Sequence, residues 1–74
     1  MKVTVKLFAT FREGRFKVEE RDCPTGTTCR EIETAIGLPE EELGIVLVNR
    51  RHAPLDQELG EGDAVSLFPL VGGG

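Results

Sequence analysis

The chain has no tryptophan and no tyrosine, and among its 74 residues there is one histidine, one methionine and two cysteines. Each scarcity excludes something. Cys23 and Cys29 are too few for a disulfide scaffold. Together with His52 they cannot supply four good soft ligands, so no structural metal is expected. Long apolar runs are missing as well. The longest, Leu67 to Val71, is short and contains Pro69, which rules out a membrane-spanning helix. The amino-terminal residues alternate Lys2, Thr4 and Lys6 with Val3, Val5 and Leu7, unlike the unbroken apolar core of a signal peptide, so a cytoplasmic location is expected. Nor is there an excess of basic charge. Nine Lys and Arg stand against thirteen Asp and Glu, for a net charge of −4, which argues against nucleic acid or an anionic membrane as the main partner.

At this length the chain is expected to form one small domain of modest stability, about 4 to 11 kcal/mol in total. Lys2 to Phe8 alternates in the strand period, with Val3, Val5 and Leu7 on one face. Arg15 to Arg21 reads as a second strand, with Phe16 and Val18 alternating against Arg15, Lys17 and Glu19, joined to the first by a turn through Arg12, Glu13 and Gly14. Pro24, Thr25 and Gly26 break that strand. Thr28, three residues before Glu31, marks a capping box and opens a helix to about Ile36 whose buried stripe is Cys29, Ile32 and Ile36. Gly37 stops the helix and Pro39 prevents its continuation.

Ile45 to Val48 is a short apolar run expected of a central strand. Asn49 offers a turn, Arg51 to Ala53 a short returning strand, and Leu55 and Leu59 pin the loop that follows. After the turn Gly60 to Asp63, a last strand from Ala64 to Phe68 sends Val65 and Leu67 inward. Strand, strand, helix, strand, short strand, strand predicts an α+β fold: a β-grasp with a mixed sheet of four to five strands and one main helix on one face. The expected organisation is a β-grasp domain over 1–68 and a flexible tail over 69–74. By parity Phe8 and Phe68 share the face without the helix, and Leu70 and Val71 follow, so an exposed apolar patch is expected there.

A catalytic reading of the chain alone finds little to build on. His52 lies beside Arg50 and Arg51 with no acid fixed near it by sequence. Cys29 holds an apolar helical position where a thiol packs as a small hydrophobe, and Glu40, Glu41 and Glu42 read as a solvated surface. The end of the chain is different: Pro69, Leu70 and Val71 lead into Gly72, Gly73 and Gly74. Three glycines make a thin segment free to adopt backbone angles other residues cannot, able to thread a narrow cleft. A terminal carboxylate is a poor electrophile, and acyl chemistry at Gly74 requires activation, most simply as a mixed anhydride with AMP. The chain has no phosphate-binding loop, so the ATP site is assigned to a partner. Replacement of AMP by sulfur would leave a terminal thiocarboxylate, anionic at neutral pH and nucleophilic.

The segments Val3 to Arg12, the helix start Thr27 to Ile32, Val46 to Asn49, Leu59 to Pro69 and the ending Leu70 to Gly74 together resemble the MoaD/ThiS family of ubiquitin-like sulfur carriers. Phe68-Pro69 ahead of the tail is more similar to the small subunit of molybdopterin synthase than to the thiamine carrier. Leu70, in place of a second proline, and Cys29, in place of an aliphatic residue, depart from that pattern. The resemblance implies an adenylating activating enzyme that supplies the ATP site and zinc, with no cofactor on this chain. It implies docking to the large subunit of molybdopterin synthase, or to thiazole synthase in the thiamine alternative; transfer of the activated glycine to a lysine, as in a protein modifier, is a further alternative. In that scheme Gly74 carries the sulfur, Gly73 gives clearance, Phe68, Pro69, Leu70, Val71 and Gly72 orient the tail, Phe8 extends the docking patch, and Arg12 and Arg51 add rim contacts.

Overall fold

The computed structural model describes residues 1–70. Five strands, β1 (Lys2–Leu7), β2 (Val18–Asp22), β3 (Leu43–Val48), β4 (Arg51–His52) and β5 (Ala64–Pro69), form one mixed sheet in the order β2-β1-β5-β3-β4. The pair β1 and β5 is parallel and the other pairings are antiparallel. Among the described residues a single α-helix, α1 (Cys29–Ile36), covers one face. This is the expected β-grasp, at the upper strand count.

The alternation in β1 and β5 fixes the core. Val3, Val5, Leu7, Val65 and Leu67 are each at most 1% exposed, and Cys29 and Ile32 of α1 pack against them. Local chemistry sets the helix bounds as the sequence implies. The Thr28 hydroxyl accepts from the Glu31 amide at 3.3 Å, and the Glu31 carboxylate accepts from the Thr28 amide at 2.9 Å. This reciprocal cap is worth about 1 kcal/mol. Gly37 closes the helix at φ 88°, a left-handed conformation that suits glycine. The loop after β4 is tied to the start of the helix: the amides of Cys29 and Arg30 donate to the carbonyls of Gln57 and Leu55, and the Leu59 amide donates to Thr27. Leu59 is buried as expected.

Three expectations change. The connection after β1 is a single-turn 3-10 helix, Ala9–Arg12, entered at Ala9 with φ 52°, and it buries Phe11 at 2% exposure. Phe11 therefore belongs to the core while its neighbours in the turn stay exposed, and β2 starts at Val18 instead of Arg15. The phase of β2 also inverts. Pairing Val3 with Arg21 and Val5 with Glu19 places the polar pair on the helix side and turns Val18 outward, 56% exposed. That is tolerable because β2 is an edge strand where long side chains bury their stems and keep their charged ends wet. The Arg21 guanidinium lies 2.8 Å from Glu19 and 5.8 Å from the centre of the Phe16 ring. The third change is in the last strand, where β5 continues through Pro69, which is buried, so the strand does not stop at Phe68.

Candidate functional site

β5 occupies the middle of the sheet, so its side chains alternate between the core and the uncovered face. Phe68 points to the uncovered face. The Phe8 amide donates to the Leu67 carbonyl at 3.2 Å, which extends the β1–β5 ladder by one residue and sets Phe8 beside Phe68. The two rings stack with centroids 4.2 Å apart and planes 8° from parallel. Aromatic pairs of this kind contribute about 0.5–1.5 kcal/mol beyond the area they bury. Ile45, paired with Phe68 from β3, continues the row and is 40% exposed. An apolar strip, Phe8, Phe68 and Ile45, thus crosses three strands on the face opposite the helix. Both rings are half-buried, so the expected patch exists, and its centre is preformed by the stack.

The chain leaves the sheet beside the middle of this strip, just past Phe68. Leu43 pairs with Pro69 and Ile45 with Phe68, so Gly44 is the extra residue of a β-bulge. A methyl group on Gly44 would lie 2.8 Å from the Pro69 carbonyl oxygen and 2.9 Å from the Leu70 nitrogen. Two residues earlier, the Glu42 carbonyl accepts from the Leu70 amide at 2.7 Å. The chain is therefore held on two points as it departs, and Leu70 emerges 65% exposed. Gly44 is not singled out by the sequence, and Glu42 reads there only as part of a solvated acidic surface. The signal was a glycine inside an apolar strand pattern, which marks a bulge or a close backbone approach. Val71, Gly72, Gly73 and Gly74 lie outside the described residues.

The structure brings Phe8 and Phe68 together, with Leu70 exposed two residues further on and Pro69 buried between Phe68 and Leu70, in phase with Val65 and Leu67. It does not bring Arg51 to them. Val48 pairs with Arg51 and with Val65, three positions back along β5 from Phe68. Arg12 ends the 3-10 turn that follows Phe8 and is exposed. His52 is an exposed residue of β4. Cys29 is fully buried, and burial pushes its thiol above the ordinary value; a backbone hydrogen bond opposes the shift and the charge of Asp63 adds to it. A protonated, enclosed thiol is a poor nucleophile. Among the described residues no group of three or more His, Cys, Asp or Glu is placed to hold a metal ion, and no helix is long and apolar enough to cross a membrane.

The Asp63 turn braces β5 at its other end. Its carboxylate accepts from the Gly60 amide at 2.7 Å and from the Asn49 side-chain amide at 2.9 Å. Asn49 in turn accepts from the Ala64 amide at 3.0 Å, locking the start of β5 to the β3–β4 hairpin. Asn49 and Arg50 adopt φ 51° and 70°, as a two-residue hairpin turn of type I′ requires.

Comparison with known proteins agrees with this geometry. Among solved structures, a Pyrococcus furiosus protein assigned as subunit 1 of a molybdopterin converting factor is 33% identical, with a TM-score of 0.77 over 96% of this chain and 99% of that one. SAMP1 from Haloferax volcanii is 26% identical with a TM-score of 0.76, each chain being covered completely. Subunit 1 or 2 of the Helicobacter pylori molybdopterin-converting factor, from a complex of the two, matches at 25% identity and a TM-score of 0.68, again over both full chains. No curated protein matches. The ThiS family model matches residues 5–74, nearly the whole chain. The uncovered apolar strip, the clamped exit beside it and a match that runs on through the glycine tail agree, and the chain belongs to the ThiS family.

Proposed function

We propose that this chain is the sulfur carrier of molybdopterin biosynthesis, acting through its carboxy-terminal Gly74. A carboxylate activated on a partner's ATP as the acyl-adenylate loses AMP to a sulfide-level nucleophile and becomes a thiocarboxylate. The sulfur then passes to a pterin precursor within the large subunit of the synthase, and the carboxylate is restored. ATP and zinc belong to the activating enzyme in this scheme, and the chain contributes no catalytic group beyond its terminus. Its own residues present that terminus: Phe8 and Phe68 give the partner an apolar face, and the hold on Leu70 fixes where the tail begins. The four residues from 71 to 74 span at most about 14 Å, enough to cross the wall of a cleft. Gly72 and Gly73 keep that span narrow. We place the division between domain and tail after Leu70.

The single observation that carries this reading is the position of the exit. β5 delivers Leu70 at the margin of the Phe8–Phe68–Ile45 strip, so one partner surface can take the face and the tail together. The Pyrococcus and Helicobacter relatives, named for a molybdopterin converting factor, favour this pathway over the thiamine one. The test is to supply purified thiocarboxylated protein to a synthase large subunit and assay dithiolene formation. Turnover is expected. A protein that remains thiocarboxylated with that subunit but is consumed by a thiazole synthase would move it to the thiamine pathway.

A second reading, a ubiquitin-like modifier that joins its terminal glycine to lysines, is favoured by the full-length likeness to SAMP1. It requires a branched peptide linking Gly74 to a lysine, detectable by mass spectrometry of digested cell protein.

A further inference from the structure

The two edges of the sheet are unequal. β4 is only two residues long, which blunts that edge. β2 runs for five residues without proline, lysine or a bulge. The Cys23 amide donates to the Met1 carbonyl and the Leu7 amide to the Lys17 carbonyl. With Val3 opposite Arg21 and Val5 opposite Glu19 between them, residues 17, 19, 21 and 23 turn their peptide groups toward β1. Val18, Glu20 and Asp22 turn theirs outward. Among the described residues nothing bonds to those three amides and three carbonyls.

Beside this edge, on the helix side, a cleft of about 340 Å³ opens between the end of β2 and α1. Arg21, Cys23, Gly26, Ile32 and Ala35 line it, and the small side chain of Ala35 leaves room on the helix. We propose that the β2 edge and this cleft take an extended segment of a partner protein by strand addition, and that the segment alternates basic and aliphatic residues. This does not depend on the sulfur-carrier reading.

The pattern follows from the pleat. Residues directly opposite one another in a sheet share a face. Those of an added strand opposite Glu20 and Asp22 lie on the uncovered side against carboxylates. Lys2 already sits across from Asp22, whereas Glu20 is paired with Thr4, so Glu20 is the less compensated charge and the stronger determinant. The residues between them project over the cleft, where aliphatic side chains are covered. Main-chain bonds supply affinity and the alternate side chains supply selectivity. A second copy of this chain is the poorer occupant. Antiparallel pairing centred on β2 would set Glu20 against Glu20, between molecules that each carry a net charge of −4.

The probe is a blocked peptide of about seven residues alternating lysine and valine, titrated into the isotopically labelled full chain and followed by NMR. Amide shifts are expected at Val18, Glu20 and Asp22 and around Gly26 and Ala35, with slowed hydrogen exchange at the three edge amides. A peptide with glutamate for lysine is expected to bind about tenfold more weakly, and Glu20→Lys to reverse that preference. Ala35→Leu, at an exposed helical position, should fill the cleft and weaken binding while leaving the fold intact. Four results would overturn the proposal: no shifts at saturating peptide, shifts confined to Phe8, Phe68 and Ile45, equal binding of the two peptides, or edge protection that rises with the protein's own concentration.

Discussion

Replacing Gly44 with alanine puts a methyl carbon 2.8 Å from the Pro69 carbonyl oxygen and 2.9 Å from both the Leu70 nitrogen and the Pro69 carbonyl carbon. Those are backbone atoms that cannot swing aside as a side chain would. The cost is steric rather than conformational, because Gly44 is not among the glycines with positive φ. Relief requires the Pro69–Leu70 segment to move away from β3, which stretches the 2.7 Å bond from the Leu70 amide to the Glu42 carbonyl. Overpacking costs about 1–3 kcal/mol and the bond about 0.5–1.5 kcal/mol. A stiffer unfolded chain offsets about 0.4–1 kcal/mol. These ranges combine to a net loss of about 0.5–4 kcal/mol, centred at about 2 kcal/mol. In a domain of this size the central value is a fall in Tm of about 8–16 °C, readable by calorimetry or circular dichroism. Gly44→Ser should behave similarly. NMR of the variant should show amide shifts at Pro69's neighbours and at Glu42, with β1 and β2 unmoved. An unchanged Tm and an unmoved Leu70 amide would refute the close approach and the hold on the exit with it.

Phe68→Asp removes the stack with Phe8, worth about 1 kcal/mol, so the domain should remain folded while binding to a synthase large subunit weakens at least about tenfold. Unfolding of the variant, read by circular dichroism, would instead make Phe68 a core residue. Burial holds the Cys29 thiol above its unfolded-state value, so the native state keeps a proton that the unfolded chain gives up. Stability from this site is complete below the unfolded thiol value and falls as pH rises toward the folded one. Urea midpoints compared between about pH 7 and 10 should therefore decline more steeply for the native protein than for Cys29→Ala. Parallel slopes would contradict the assignment.

Much of this arrangement is legible in the sequence because it rests on local chemistry. The Thr28–Glu31 cap, the Gly37 stop, the Gly60–Asp63 turn and the alternation of β1 and β5 each depend on residues near one another in the chain. Strand parity alone sets Phe8 and Phe68 on one face, and they stack. The failures share a tertiary cause. Phe11 is buried because the chain after β1 curls into a 3-10 turn beneath the sheet, which no periodicity reveals. Val18 faces outward because pairing with Val3 and Val5, not its own hydrophobicity, sets the phase of β2. Glu33, 2% exposed, is buried beside the Cys29–Ile32–Ile36 stripe; its carboxylate accepts from the Thr34 hydroxyl at 3.1 Å. Gly44 and Glu42 act through a strand more than twenty residues away, so their role emerges only once β3 and β5 are paired.

The claim on which the function rests is chemical change at Gly74 by a partner's catalyst. Its most direct test is the intact mass of the protein after co-expression with an adenylating enzyme and a sulfur source. The account predicts a species in which one oxygen of the terminal carboxylate is exchanged for sulfur, absent when Gly74 is deleted. Persistent recovery of the unmodified mass alone, or the same sulfur gain in the protein lacking Gly74, would contradict it.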